Sequence, residues 1–347
     1  MSLPVSVVAL IATYNEADII AQVVGDLVQQ DISVYLVDDG STDDTVAQVE
    51  RFVGRGVIGI ERFSAPDPTG SLHVFALEPI LRRKAQLASE LAADWFINHD
   101  ADEFRESPWP NVSLRDAIQW VDDAGYNAID FSCLEFAGGA EGPHADVREA
   151  IPCYTPAPLY NRLQIRCWKK TDHLVDLVSS GGHEAAFPDR NVFPIRFVLR
   201  HYPIRGRLHR ERKVLAERNY LETERRRGWH VQYEQTADSS AIPRTYDPQA
   251  VRLDLMLRHR DIEALADVVR SLEGRAEAQR QHIETLGEEI EQQRNARAEE
   301  GRQYRRELEL LRVALNEHQQ ALDALYQSRS WRWTAPARML TGWLKRR

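Results

Sequence analysis

Residues 5–16 read VSVVALIATYNE: an apolar run from Val5 to Ala12 ends in Thr13, Tyr14, Asn15 and Glu16. A helical pattern follows from Ala17 to Val28, then a second apolar run, Val34 to Val37, and a second helical pattern, Asp44 to Val53. Runs of this length alternating with helical periodicity predict βαβ units on a sheet that is mostly parallel. Polar residues at the end of each run then lie at the carboxyl edge of the sheet, where open α/β folds bind ligands.

Three such ends carry acids or hydroxyls. The first is Thr13 to Glu16; the second is Asp38, Asp39, Gly40, Ser41, Thr42 and Asp43, where Gly40 permits a tight turn and Ser41 or Asp43 can cap the next helix. The third follows a buried run, Trp95 to Asn98, and reads His99, Asp100, Ala101, Asp102, Glu103. On an extended segment Asp100 and Asp102 point to one side, so that one carboxylate can meet a divalent cation while the other orients a ribose or shares the ion. Hard oxygen donors favour Mg²⁺ or Mn²⁺ bridging a diphosphate. Neither GxGxxG nor a Walker loop is present, so a bound nucleotide has to be held by carboxylates and a metal.

Composition narrows the alternatives. The 347 residues carry 44 basic and 53 acidic side chains, a net charge of −9, which argues against general nucleic-acid binding. No apolar run approaches the roughly 20 residues of a membrane span. Met1 to Leu10 lacks the basic stretch of a signal peptide, and the expectation is a cytoplasmic protein. Three cysteines, Cys133, Cys153 and Cys167, without CxxC spacing, support neither a disulfide framework nor a thiolate zinc site.

The pattern changes near Tyr233. Residues 1–233 read as the α/β domain, 234–256 with Pro243 and Pro248 as a linker, and 257–327 as a helical region. There Ile262, Val269, Ala276, Ile283 and Ile290 recur every seven residues, with Leu265, Leu272 and Leu286 between them, a coiled-coil seam. A second seam, Leu308, Leu315 and Leu322 with Tyr304, Leu311 and Leu325, lies four residues out of phase, which predicts a stutter between Gln293 and Gly301. Such a helix pairs with another copy or a partner, or packs on its own chain. Residues 328–347 combine Trp331, Trp333 and Trp343 with Arg and Lys and no acid, a composition suited to the inner face of a membrane or to a protein surface.

TYNE, VDDGSTD and DADEF, in that order at three strand ends, resemble glycosyltransferase family 2. The resemblance implies a GT-A fold, a Rossmann-like mixed sheet flanked by helices, and a sugar-nucleotide donor. It implies Thr13, Glu16, Asp38 and Asp39 around base and ribose, with Asp100 and Asp102 on ribose and metal. Lys84 resembles the basic residue that many members set near the nucleotide, and His201 a late histidine that returns to the metal. For the base of an inverting transfer the candidate is Glu184, after Gly181, Gly182 and His183, with Asp172, Asp176 and Asp189 as competitors. Family members more often carry an acidic dipeptide there. Arg205 or Arg207 can face the departing diphosphate, and Glu211 to Tyr233 reads as a mixed-charge helix. The resemblance further implies a glycan or lipid-linked hydroxyl acceptor in bacterial surface-polysaccharide or glycoconjugate assembly. Two other readings are a coiled-coil scaffold with a degenerate head and a sugar-phosphate nucleotidyltransferase. The second calls for a glycine-rich start after the first strand, and Thr13 to Ala17 has none.

Overall fold

A computed structural model describes residues 4–63, 74–138, 146–155, 163–216, 219–220, 244–257 and 262–327. The chain divides into two compact units, Met1–Leu272 and Glu273–Arg347.

The first unit is built on a ten-stranded mixed sheet. Its parallel part comprises β1 (Val7–Thr13), β2 (Ser33–Asp38), β3 (Val57–Arg62) and, after the two-residue β4 (Val74–Phe75), β5 (Trp95–Asp100); β5 and β2 flank β1, and β3 lies beyond β2. The connections supply α1 (Ile20–Gln29), α2 (Thr45–Glu50) and α3 (Leu77–Glu90). After β6 (Glu103–Glu106) and α4 (Leu114–Asp123) comes the long β7 (Ala128–Ala137), then α5 (Val147–Ala150), β8 (Cys153–Thr155), β9 (Ile165–Lys169) and β10 (Val192–Ile204). β9 runs antiparallel between β5 and β7, and β10 pairs with β7 on one side and with β6 on the other. A short helix α6 (Arg207–Arg210) runs on into a wider π-helical turn, Glu211–Ala216, and β11 (Asn219–Tyr220) pairs with β4.

β1 is apolar throughout because both of its faces are covered. Val7, Ala9 and Ile11 pack in one core cluster with Ile20, Val23, Val24 and Leu27 of α1 and with α4, whereas Val8 and Leu10 pack in another with Leu81, Ala85 and Ala88 of α3. A strand buried on both sides reads as a continuous run. In α1 the buried residues recur at the three- and four-residue spacing of a helix face.

The passage read as a linker is described from residue 244 onward, and there it is structured. β12 (Arg244–Thr245) pairs with β8, and α7 (Pro248–Leu257) follows. Tyr246 lies over the Arg200 guanidinium at 4.3 Å, with Phe136 at 4.8 Å from it, and the Tyr246 hydroxyl donates to Glu106 at 2.8 Å. Glu106 also faces Arg200 at 3.2 Å and Arg252 at 3.3 Å. Val251 is buried in the main core. The packing of the first unit therefore extends past residue 233, through a cation–aromatic cluster that no local pattern announces.

The region read as a coiled coil forms one continuous helix, α8 (Ile262–Gln327), of 66 residues and about 100 Å at 1.5 Å per residue. It continues through the offset between the two seams. Among the described residues no helix is long and apolar enough to cross a membrane. The basic Trp-rich segment 328–347 lies outside the described residues.

Candidate active site

Register brings the three acidic strand ends together. Thr13 is level with Asp38 across β1 and β2, and Ala12 is level with Asp100 across β1 and β5. The first two loops are stitched to each other by side chains. Ser41 Oγ accepts from the Asn15 amide at 3.0 Å, Asn15 Oδ1 from the Thr42 amide at 2.8 Å, Thr45 Oγ1 from the Glu16 amide at 2.9 Å, and Asp43 Oδ2 from the Ala17 amide at 3.2 Å. Ser41 and Asp43 thus reach across to the first loop, satisfying amides that no strand or helix partner takes. Asn15 holds a left-handed φ of 52°, which Asn tolerates better than most residues. Asp38 and Asp39 are buried, and Asp38 accepts from the Ser41 amide.

The third loop departs from the extended geometry expected of it. β5 ends at Asp100, residues 101 and 102 turn, and β6 begins at Glu103, because β6 must reverse to pair with β10. Asp100 and Asp102 consequently face different partners. Asp100 accepts from Arg166 Nη1 at 2.7 Å, and the same nitrogen reaches Glu103 at 3.0 Å. Asp102 accepts from Lys213 Nζ at 2.7 Å and faces His201 Nε2 at 3.5 Å. Burial works to raise Asp102, but Lys213, His201 and Arg205 hold it well below the usual carboxylate range. Burial likewise opposes the charge on His201, and Asp102 lifts it well above an ordinary histidine.

Behind Asp100 stand three buried cations. Arg166, on β9, also reaches His183 Nδ1 at 3.0 Å with its second nitrogen. Arg105 pairs with Glu103 at 2.8 Å and donates to the Asn98 carbonyl. Lys84 of α3 donates to Asn98 Oδ1 at 2.8 Å and to the His99 carbonyl at 2.9 Å, and burial pushes it down to about 8. Lys84 is therefore spent inside the protein and steadies the strand that carries Asp100, where the resemblance implied a nucleotide contact. Asn98 Nδ2 donates to the Gly182 carbonyl at 2.8 Å, tying the 179–184 loop to β5. At Gly182 φ is +86°, and a Cβ would stand 3.0 Å from Leu81, which calls for glycine on both counts.

Glu16, Asp18 and His209 offer ligand atoms within 4.8 Å of one another. A cation is already there: Arg205 bonds Glu16 and Asp18, and its Nη2 lies 2.9 Å from His209 Nε2. Arg205 is thereby committed to the first loop, and Arg207 is exposed. Burial, then the charges of Arg205 and Lys213, lower His209 to about 4; for Asp18 burial opposes ionisation but Arg205 brings it down to about 2. In both pH windows, roughly 6.5 to 4 and 3.8 to 2, the unfolded chain binds more protons than the folded one, so stability rises with pH and is lost on acidification. The thermal midpoint is expected to fall as pH drops from 6.5 to 4, and His209→Gln to flatten that slope; parallel slopes for both proteins in differential scanning fluorimetry overturn the assignment.

Of the sequence candidates, then, Thr13, Glu16, Asp38, Asp39, Asp100, Asp102 and His201 share one edge of the sheet. Glu184 ends the 179–184 loop, its amide donating to Ser180 Oγ at 2.8 Å and its carboxylate 3.4 Å from Arg190. Asp176 is committed to the Val178 and Ser179 amides. Within the loop it is His183 whose side chain meets Arg166 and, through it, Asp100. Arg166 and Lys213 carry no sequence signal, since each acts on a residue distant along the chain; Glu103 lies within the third acidic strand end, but its pairing with Arg166 is set by the fold. Of the helix read over Glu211 to Tyr233, residues 217–218 and 221–233 lie outside the described residues.

Asp102 and His201 stand 3.5 Å apart as an ion pair, and Asp100 is turned to Arg166. Among the described residues these three do not bring their ligand atoms together as Glu16, Asp18 and His209 do, so holding a divalent ion calls for His201 to give up its proton and Asp100 to leave Arg166. Thr13 Oγ1 is buried with no hydrogen-bond partner among the described residues, which leaves it for a ligand hydroxyl or amide.

Residues 8–63 match the model of glycosyl transferase family 2. No curated protein matches the chain. Among solved structures, TarS from S. aureus is similar at 18% identity over 41% of this chain and 23% of its own, with a TM-score of 0.28, so the likeness spans under a quarter of that protein. Its 1–349 fragment in complex with UDP is 14% identical over 57% of this chain and 61% of the fragment, TM-score 0.33. The mannosyltransferase PcManGT from Pyrobaculum calidifontis, in complex with GDP-Man and Mn²⁺, is 17% identical over 80% of this chain and 76% of its own, TM-score 0.31. The resemblance to glycosyltransferase family 2 thus holds over residues 8–63, the part of the chain that builds the first two loops of the site.

Proposed function

We propose that the first unit is a metal-dependent, inverting glycosyltransferase that moves a sugar from a nucleoside diphosphate to a hydroxyl acceptor. The observation that carries this reading is the alignment of Thr13, Asp38 and Asp100 at one sheet edge by the registers of β1 with β2 and β5. Thr13, Asp38 and Asp39 take the base and ribose, with Glu16 in the wall of the same pocket. Asp100, Asp102 and His201 would hold Mn²⁺ or Mg²⁺ once Asp100 turns from Arg166 and His201 is neutral, and the ion would supply positive charge against the diphosphate. In the transfer the acceptor oxygen attacks C1 of the sugar, the bond from C1 to the diphosphate oxygen breaks, and its electron pair leaves on the nucleotide. Glu184 takes the acceptor proton.

The acceptor is a glycan or a lipid-linked hydroxyl in surface-polysaccharide or glycoconjugate assembly. The composition of residues 328–347 suits docking at the inner face of a membrane or on a protein surface, and the helix α8 gives a second handle, for another copy or a partner protein.

A panel of nucleoside diphosphates and nucleotide sugars, each with and without Mn²⁺, tests the donor site by thermal shift, since a ligand that binds only the folded state raises its midpoint. One nucleotide family is expected to stabilise the protein, and only with the metal. A shift with nucleotide that ignores Mn²⁺ refutes the metal; no shift from any nucleotide in folded protein favours the degenerate-head scaffold.

A further inference from the structure

The apolar seam of α8 is exposed. Ile283 and Ile290 are 69% and 67% accessible, Leu308 and Leu315 65% and 66%. Leu286, Leu311 and Leu322 continue the same stripe and are also exposed. A stripe of this length on a charged helix is covered by another helix in a coiled coil. The residues flanking the seam identify that helix.

We infer that α8 pairs with α8 of a second copy, parallel and in register, from Ile283 to the end of the second seam. In this arrangement each residue just before one heptad's first seam position meets, on the partner, the residue five places further on. From residue 282 onward the charged pairs are Glu289 with Arg294, Glu300 with Arg305 and Glu307 with Arg312. All three are of opposite sign, and the other flanking positions are neutral or lack a charged counterpart, as in His282 with Gly287 and Ala314 with Gln319. Towards the N-terminus the same register sets Arg275 against Arg280 and Val268 against Glu273, one repulsion and no attraction, so the pairing ends there.

The antiparallel alternative that overlaps both seams centres the stutter and lays Ile290 on the partner's Tyr304. It brings Glu289 against Glu307 and Arg280 against Arg312, two repulsions, whereas in the parallel register Glu289, Glu307 and Arg312 each meet an opposite charge. Ile at one seam position with Leu at the next, as in Ile283 and Leu286, favours two strands. The polar seam residues Gln293 and His318 then stack on their own counterparts and penalise slipped registers. The inference is independent of the transferase reading.

Sedimentation equilibrium of the full chain is expected to give a dimer at about 50 µM. Glu300→Arg with Glu307→Arg sets like charges together at both sites and is expected to weaken the dimer tenfold or more; adding Arg305→Glu and Arg312→Glu is expected to restore it. These positions are exposed on a continuous helix, so the variants keep the fold. With Cys153→Ser as background, Leu308→Cys is expected to give a disulfide-linked dimer on mild oxidation. A monomer at that concentration, a dimer indifferent to charge reversal, or a dimer that Leu308→Cys does not link overturns the proposal.

Discussion

Asp102→Asn is expected to lower transfer turnover by about a hundredfold or more while leaving the protein folded. The substitution keeps the shape of the side chain and removes a charge that Lys213 touches at 2.7 Å, His201 faces at 3.5 Å and Arg205 approaches at 4.0 Å. In the proposed site it also removes the oxygen that shares a metal ion with His201. The measurement is initial rate with the nucleotide sugar identified by thermal shift, across a Mn²⁺ titration, with circular dichroism to verify the fold. A variant that needs more Mn²⁺ and turns over slowly at saturation supports a ligand role; full turnover at the wild-type Mn²⁺ requirement removes Asp102 from the mechanism. Asp102→Glu, which retains the charge at a longer reach, is expected to fall between the two.

Arg166→Met is expected to be the most destabilising single change on the sheet. Arg166 is 6% exposed and contacts Asp100, Glu103 and His183. Without it Asp100 loses its bonded cation, and Glu103, which is buried, keeps only Arg105. Breaking a buried ion pair from one side costs about 3–5 kcal/mol. In a unit of this size that lowers the thermal midpoint by about 10 °C. Arg166→Lys keeps the charge but cannot span three partners, and is expected to recover about half of the loss. Adding Glu103→Gln to Arg166→Met, which removes one stranded carboxylate, is expected to recover part of it too. A midpoint unchanged by Arg166→Met would mean that water reaches the two carboxylates and that the network is not a structural unit.

Much of this architecture is legible in the sequence, for reasons that also mark where legibility ends. β1 and β5 are apolar on both faces and end in polar residues, so run length and composition reveal them. β1 lies between β2 and β5, and that adjacency gathers Thr13, Asp38 and Asp100. The turn at residues 101 and 102 is hidden, because it exists to let β6 reach β10, nearly a hundred residues later. Arg166 and Lys213 are hidden for the same reason: a lone cation on a strand or helix has no local periodicity, and its partners are chosen by the fold. The attachment of residues 244–257 depends on Arg200 and Glu106 meeting Tyr246 and Arg252, four residues that mean nothing separately. In α8 the limit is of another kind, since heptads declare a helix and a seam but the identity of the partner emerges only from the signs of the flanking charges.

Lys213 joins Glu16, at 2.8 Å, to Asp102, at 2.7 Å, with one ammonium. A free divalent ion seeking Asp102 must therefore compete with a cation that is part of the chain and always present at full effective concentration. A diphosphate changes that competition, because it offers the displaced ammonium a new counter-charge and the incoming ion extra oxygen ligands. Metal and nucleotide are then thermodynamically linked, each tightening the other by the same factor. On the proposed reading, the enzyme is a poor scavenger of bare metal, and its loading follows the supply of donor more than the concentration of free Mn²⁺ around it.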